Sequence, residues 1–224
     1  MITRKMQQLF AQSNQSGFTI IESLMAVVVV SILMAAIAPA IALSVATRVQ
    51  AKRVEQASQA ARAYVDGVKA GTITAPSHSV TGSAINGVDP PPSTGSLSCT
   101  APTPPTTTPA TPTATTNYYC TENTTTLNLY CINGDEIAGC TTNSVRDLII
   151  QSFRTNNDQN YKLGVRVYRV DGFKTSGAFE AGGQQATFTG GLGKLKAPLL
   201  QMTTEITGTQ PKYQDYCDRL GGCT

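Results

Sequence analysis

Glu22 stands at the edge of a 25-residue stretch, Ser23–Thr47, that contains no Asp, Glu, Lys, Arg or His. A carboxylate beside such a run is costly to desolvate, so its chemistry is charge pairing with a cation rather than anchoring. Other reactive side chains are few. Six cysteines, Cys99, Cys120, Cys131, Cys140, Cys217 and Cys223, all lie beyond residue 98. They lack the Cys-x-x-Cys pairs of zinc knuckles, so no metal is expected and they read as three disulfides. Fifteen connectivities are possible; the expected one joins sequence neighbours, 99–120, 131–140 and 217–223. His78, the one histidine, has no acid or thiol near it in sequence, which supports neither a triad nor a ligand set. In Gly190-Gly191-Leu192-Gly193-Lys194, Phe188 occupies the first glycine position of a phosphate loop and Leu195 replaces its hydroxyl residue. No catalytic constellation and no cofactor site emerges.

Glu22 needs an element to hold it. As a helix, Ser23–Thr47 would reach about 37 Å at ~1.5 Å per residue, enough to cross a hydrocarbon core of ~30 Å. A cleaved secretory signal is excluded, because its apolar region runs only ~7–15 residues and a cut after Ala36-Ile37-Ala38 would leave Pro39 first. A plain single-span anchor explains the run but gives Gly17, Glu22 and Pro39 no purpose. Arg4 and Lys5 precede the run; without them the net charge of +3 falls to +1. That balance implies no broad cationic surface for nucleic acid.

A short basic leader, Gly17, the sequence Phe-Thr-Ile-Ile-Glu at 18–22 and the unbroken apolar stretch together resemble the N-terminus of type IV prepilins and pseudopilins. The resemblance implies that a prepilin peptidase cuts between Gly17 and Phe18 and that Phe18 is then methylated. It makes Glu22 an assembly residue, paired with the Phe18 amine of a neighbouring subunit inside a bundle of apolar helices. Phe18 and Glu22 are four residues apart, about one helical turn. Pro39 falls where many members of the family carry a proline. Lacking an N–H, it either bends the helix or is a tolerated membrane proline.

The helix is expected to run on. Val45, Val49, Val54, Ala57, Ala61, Tyr64, Val65 and Val68 form a broad apolar stripe, with Arg48, Lys52, Arg53, Glu55, Arg62 and Asp66 opposite. Gly71 fits as its terminal glycine. The reading is therefore a leader at 1–17, a transmembrane and assembly half at 18–47, and an amphipathic half at 48–70. Residues 71–116 read as loop: from Asp89 to Thr116, 18 of 28 residues are Pro or Thr, a composition that cannot build a core. Residues 117–224 form a cysteine-containing sheet domain. Leu127, Leu129 and Cys131 share a strand face ahead of an Asn133-Gly134 turn. Ser144 with Asp147 is expected to cap a short helix showing Val145, Leu148, Ile149 and Phe153. Tyr161, Leu163, Val165 and Val167 alternate with Lys162 and Arg166, and Leu200, Met202, Thr204 and Ile206 alternate similarly. The fold class is α+β and pilin-like: one long N-terminal helix packed on a small antiparallel sheet of three or so strands.

Residues 17–75, chiefly through the stretch from Ser31 to Ile73, are similar to the pseudopilins of cyanobacterial hormogonium polysaccharide secretion. The implied function is non-enzymatic, a subunit of a pseudopilus or pilus supporting polysaccharide secretion and surface motility. Implied partners are the peptidase, other pilin or pseudopilin subunits, the membrane, and an inner-membrane platform protein with its assembly ATPase; no nucleic acid is expected. The implied location is a single pass of the inner membrane, N-terminus cytoplasmic and C-terminal domain periplasmic, then the filament. An adhesive or DNA-capturing minor pilin would need an exposed aromatic or basic patch, and a membrane-tethered enzyme would need a catalytic constellation.

Overall fold

The computed structural model describes residues 19–77, 80, 87–100, 117–122, 129–135, 137, 139–155, 160–183, 185, 193–208, 213 and 217. Its first element is a 50-residue helix, α1 (Ile20–Lys69). It ends as the sequence leads one to expect. Gly71 takes φ +71, its N–H meets Val68 O at 3.1 Å, and Thr72 N–H meets Gly67 O at 3.0 Å. These paired bonds satisfy carbonyls of the last turn, and glycine enters the left-handed region without a Cβ clash.

The chain divides into two units, Met1–Val45 and Ala46–Thr224. In the first, every residue from Ile20 to Val45 is exposed, on all sides of the helix. In the second, the rest of α1 buries Gln50, Ala57, Ala60, Ala61, Tyr64, Val65 and Val68. The three alanines let the helix backbone come close to the sheet it covers. Tyr64 closes that interface: its hydroxyl lies 2.7 Å from Ser152 Oγ and its ring 5.2 Å from that of Tyr130. Burial holds the Tyr64 phenol well above its ordinary pKa, opposed by the Ser152 bond.

Six strands follow: β1 (Leu97–Thr100), β2 (Tyr118–Glu122), β3 (Leu129–Ile132), β4 (Leu148–Arg154), β5 (Tyr161–Arg169) and β6 (Leu200–Ile206). They lie side by side in chain order, each neighbour antiparallel. Successive side chains alternate between two faces. The first face carries Tyr130, Leu148, Ile150, Tyr161, Leu163, Val165 and Val167 against the helix. The second carries Tyr118, Leu129, Cys131, Ile149 and Tyr168 against Val170 and Phe173 of a 3-10 helix (Val170–Lys174) and Phe179. The expected α+β architecture is therefore present, with a larger sheet than the sequence patterning indicated.

Two expectations are corrected. The short helix expected after Ser144 is a turn followed by β4. Ser144 Oγ does accept from the N–H groups of Arg146 and Asp147, at 3.3 and 3.1 Å, but the next residues extend. β4 is central and buried on both faces, so Leu148, Ile149 and Ile150 follow one another without alternation and, with Phe153, mimic a helical stripe. β1 and β2 were not expected at all. β1 is four residues long, lies in the stretch read as loop, and is held to β2 by Cys99–Cys120, directly opposite each other in register.

Arg166, read as solvent-facing with Lys162, is fully buried. The second face is covered here by a proline-rich segment that β-sheet side chains hold in place. Arg166 Nη1 donates to Val88 O at 2.7 Å and Gln151 Nε2 to Asp89 O at 2.8 Å. Glu122 Oε1 accepts from Thr94 Oγ1 at 2.7 Å and Ser96 N at 3.2 Å. Pro90, Pro91 and Pro92 have no N–H to join a ladder, so side chains supply the attachment. Burial lowers the Arg166 pKa, opposed by Tyr168 and Asp89.

Candidate assembly site on the N-terminal helix

Gly17 and Phe18 lie outside the described residues. The first one described, Thr19, caps α1: its Oγ1 accepts from Glu22 N–H at 3.3 Å, and its carbonyl from Glu22 and Ser23 N–H at 3.0 and 3.1 Å. Thr19-Ile-Ile-Glu22 has the spacing of a capping box, a signal in the sequence that the family resemblance had overshadowed. Thr19 is thus a second polar residue of this site, one that fixes the first turn on which Glu22 sits. Glu22 is exposed, in that first turn, where the helix dipole favours an anion.

Beyond Glu22 the apolar residues are open to their surroundings: Ile21 is 71% exposed, Leu24 61%, Ile32 64% and Met34 70%. A core helix of a soluble domain would bury most of them. Polar atoms within the run are turned inward onto the backbone: Ser23 Oγ donates to Ile20 O at 2.8 Å and Ser31 Oγ to Val27 O at 2.7 Å. Such back-bonding leaves no hydroxyl unsatisfied in an apolar medium. α1 continues through Pro39 as helix. It is long and apolar enough to cross a membrane.

The other candidates sort plainly. Cys99–Cys120 and Cys131–Cys140 are disulfides, two of the pairs that sequence order suggested. Cys217 is also disulfide-bonded, and Cys223, its expected partner, lies outside the described residues. Cys131 Sγ, Cys140 Sγ and an Asp147 carboxylate oxygen lie within 4.8 Å of one another, but the two sulfurs are bonded to each other and offer no thiolate to a metal. His78 and residues 190–192 lie outside the described residues. Lys194, the lysine of the glycine-rich stretch, forms an exposed ion pair with Glu180 at 2.9 Å.

What the arrangement can do is present an apolar rod with one carboxylate at its tip. No curated protein and no solved structure matches the chain. Residues 12–38 match the prokaryotic N-terminal methylation motif, a segment that contains Gly17, Phe18 and Glu22.

Proposed function

We propose that the chain is a structural, non-enzymatic subunit of a type IV pilus-like filament. The observation that carries this reading is the fully exposed apolar helix from Ile20 to Val45, set directly behind a capped first turn bearing Glu22 and within the methylation motif. Removal of residues 1–17 would free the Phe18 amine one turn from Glu22. In the membrane the apolar surface faces lipid; in the filament it faces other helices of the same kind. Glu22 then receives the amine of an adjoining subunit, and the pair fixes axial register while apolar contact supplies adhesion. A platform protein in the inner membrane, driven by a cytoplasmic ATPase, would lift the subunit, with Ala46–Thr224 on the periplasmic side. The filament is read as a pseudopilus serving polysaccharide secretion and surface motility, on the likeness of residues 17–75 to the hormogonium pseudopilins. Disruption of the gene is expected to abolish polysaccharide release while leaving DNA uptake intact; the opposite pattern would favour a DNA-capturing pilin.

Processing is tested first. Intact-mass and N-terminal peptide spectrometry of the membrane-derived protein should find a chain that begins with N-methylated Phe18. A chain that keeps Met1, or one that begins at Pro39, would overturn the reading.

A further inference from the structure

Asp147 closes the Asn133–Asp147 connection just ahead of β4, and it is only 1% exposed. Its Oδ1 accepts from Gly134 N–H at 2.9 Å. Its Oδ2 is buried without a hydrogen-bond partner. One oxygen of that carboxylate and both sulfurs of the Cys131–Cys140 bridge lie within 4.8 Å of one another. The bridge is asymmetric: Cys131 is fully buried, whereas Cys140 is partly exposed. Cys140 is therefore the more accessible half of the bridge, and attack there would expel the Cys131 sulfur toward the carboxylate.

Among the described residues few charges compete for that place. Asp135, on the same connection, is engaged through Oδ2 by Ser144 Oγ at 2.8 Å. Arg146 is exposed. Val170 N–H donates to Asp147 O at 3.2 Å, and its neighbours Arg169 and Asp171 are paired with each other. β3 and β4 bring Cys131 and Ile149. Burial raises the Asp147 pKa above the ordinary carboxylate value and Asp135 adds to the rise, opposed by the Gly134 bond and by Ser144 and the Thr141 backbone.

We propose that Asp147 is the proton carrier for Cys131 in thiol–disulfide exchange at the Cys131–Cys140 bridge. In closure, the Cys140 thiolate attacks a disulfide oxidant R–S–S–R, giving Cys140–S–S–R and R–S⁻. The Cys131 sulfur then attacks Cys140 Sγ, the second R–S⁻ departs, and the Cys131 proton passes to Asp147 Oδ2 and on to solvent. In opening, a nucleophile bonds to Cys140 Sγ, the sulfur–sulfur bond breaks, and protonated Asp147 returns its proton to the Cys131 sulfur. When Asp147 is ionised instead, the departing thiolate meets a like charge in a low-dielectric space, and opening is slow.

The test is reduction of the native, full-length protein by a water-soluble phosphine, with each bridge followed by alkylation and peptide mass spectrometry. The rate constant per unprotonated phosphine for Cys131–Cys140 should rise by about tenfold or more between about pH 8 and about pH 4, the scale of general acid catalysis. Cys99–Cys120, which has no carboxylate so placed among the described residues, should show no rise. In Asp147→Asn the Cys131–Cys140 rate should lose its pH dependence while Cys99–Cys120 is unchanged. A flat wild-type profile overturns the proposal, as does a rise that survives in Asp147→Asn. Should Asp147→Asn also alter the Cys99–Cys120 rate, the contrast between the two bridges in the wild-type protein decides the matter alone.

Discussion

Glu22→Val is expected to enter the membrane and to be cut like the wild-type chain, yet to be almost absent from assembled filaments. Insertion should survive, because removing a carboxylate makes the segment more apolar; acids at mid-bilayer cost ~3 kcal/mol on insertion scales, and less at the edge. Cutting should survive because Gly17 and Phe18 are unchanged. Assembly should fail because an incoming Phe18 amine would be buried without its counter-charge, and breaking a buried pair from one side costs about 3–5 kcal/mol. At ~1.4 kcal/mol per factor of ten, this is a loss of about a hundredfold or more in incorporation. Glu22→Gln keeps the shape and the cap of α1 but not the charge, so it should fail nearly as badly. The measurement is the ratio of mutant to wild-type subunit in purified filaments, normalised to processed chain in the membrane. If Glu22→Val assembles as well as wild type, the carboxylate has no part in assembly.

Leu163→Ala should destabilise the Ala46–Thr224 unit by about 2–5 kcal/mol. Leu163 is fully buried in the cluster that contains Ala57 and Ala61 of α1. Its backbone is fixed on both sides, opposite Arg154 on β4 and Thr204 on β6, so the strand cannot shift to fill the space left. The same substitution at Leu24, 61% exposed in the other unit, should leave unfolding of the sheet domain within about 0.5 kcal/mol of wild type. Denaturant titration in detergent, read by tyrosine near-ultraviolet circular dichroism, separates the two. Equal effects from both substitutions would contradict the division of the chain into an exposed apolar rod and a packed domain.

What the sequence disclosed follows from where its signals are strong. The apolar run, the Gly71 stop and the alternation of β5 and β6 are readable because one face of each element differs from the other in polarity, or because every face is apolar. β4 was misread for the opposite reason: between β3 and β5, with helix on one side and the 3-10 helix on the other, it shows no polar face. β1 and β2 are only four and five residues long, too short to show a period, and the ladder and a disulfide, neither visible in the local pattern, make them strands. Arg166 illustrates a further limit, since a charge at a strand position suggests solvent unless the covering segment is known. At the candidate assembly site, Thr19 is readable in its Thr-x-x-Glu spacing. The place of Asp147 beside the Cys131–Cys140 bridge depends on how the connection folds back, which no spacing discloses.

The Cys99–Cys120 bridge joins residues that already face each other across β1 and β2, so the connection between those strands is closed covalently at the ladder. Loop-closure entropy grows only as the logarithm of length, so doubling the span from residue 101 to 116 costs about 0.6 kcal/mol. Ala, Pro and Thr alone make up that span. Drift, duplication or an engineered epitope there leaves the ladder untouched on either side of the clasp. Related chains can thus diverge between these two strands, and a reporter tag can be carried there, without re-optimising the sheet.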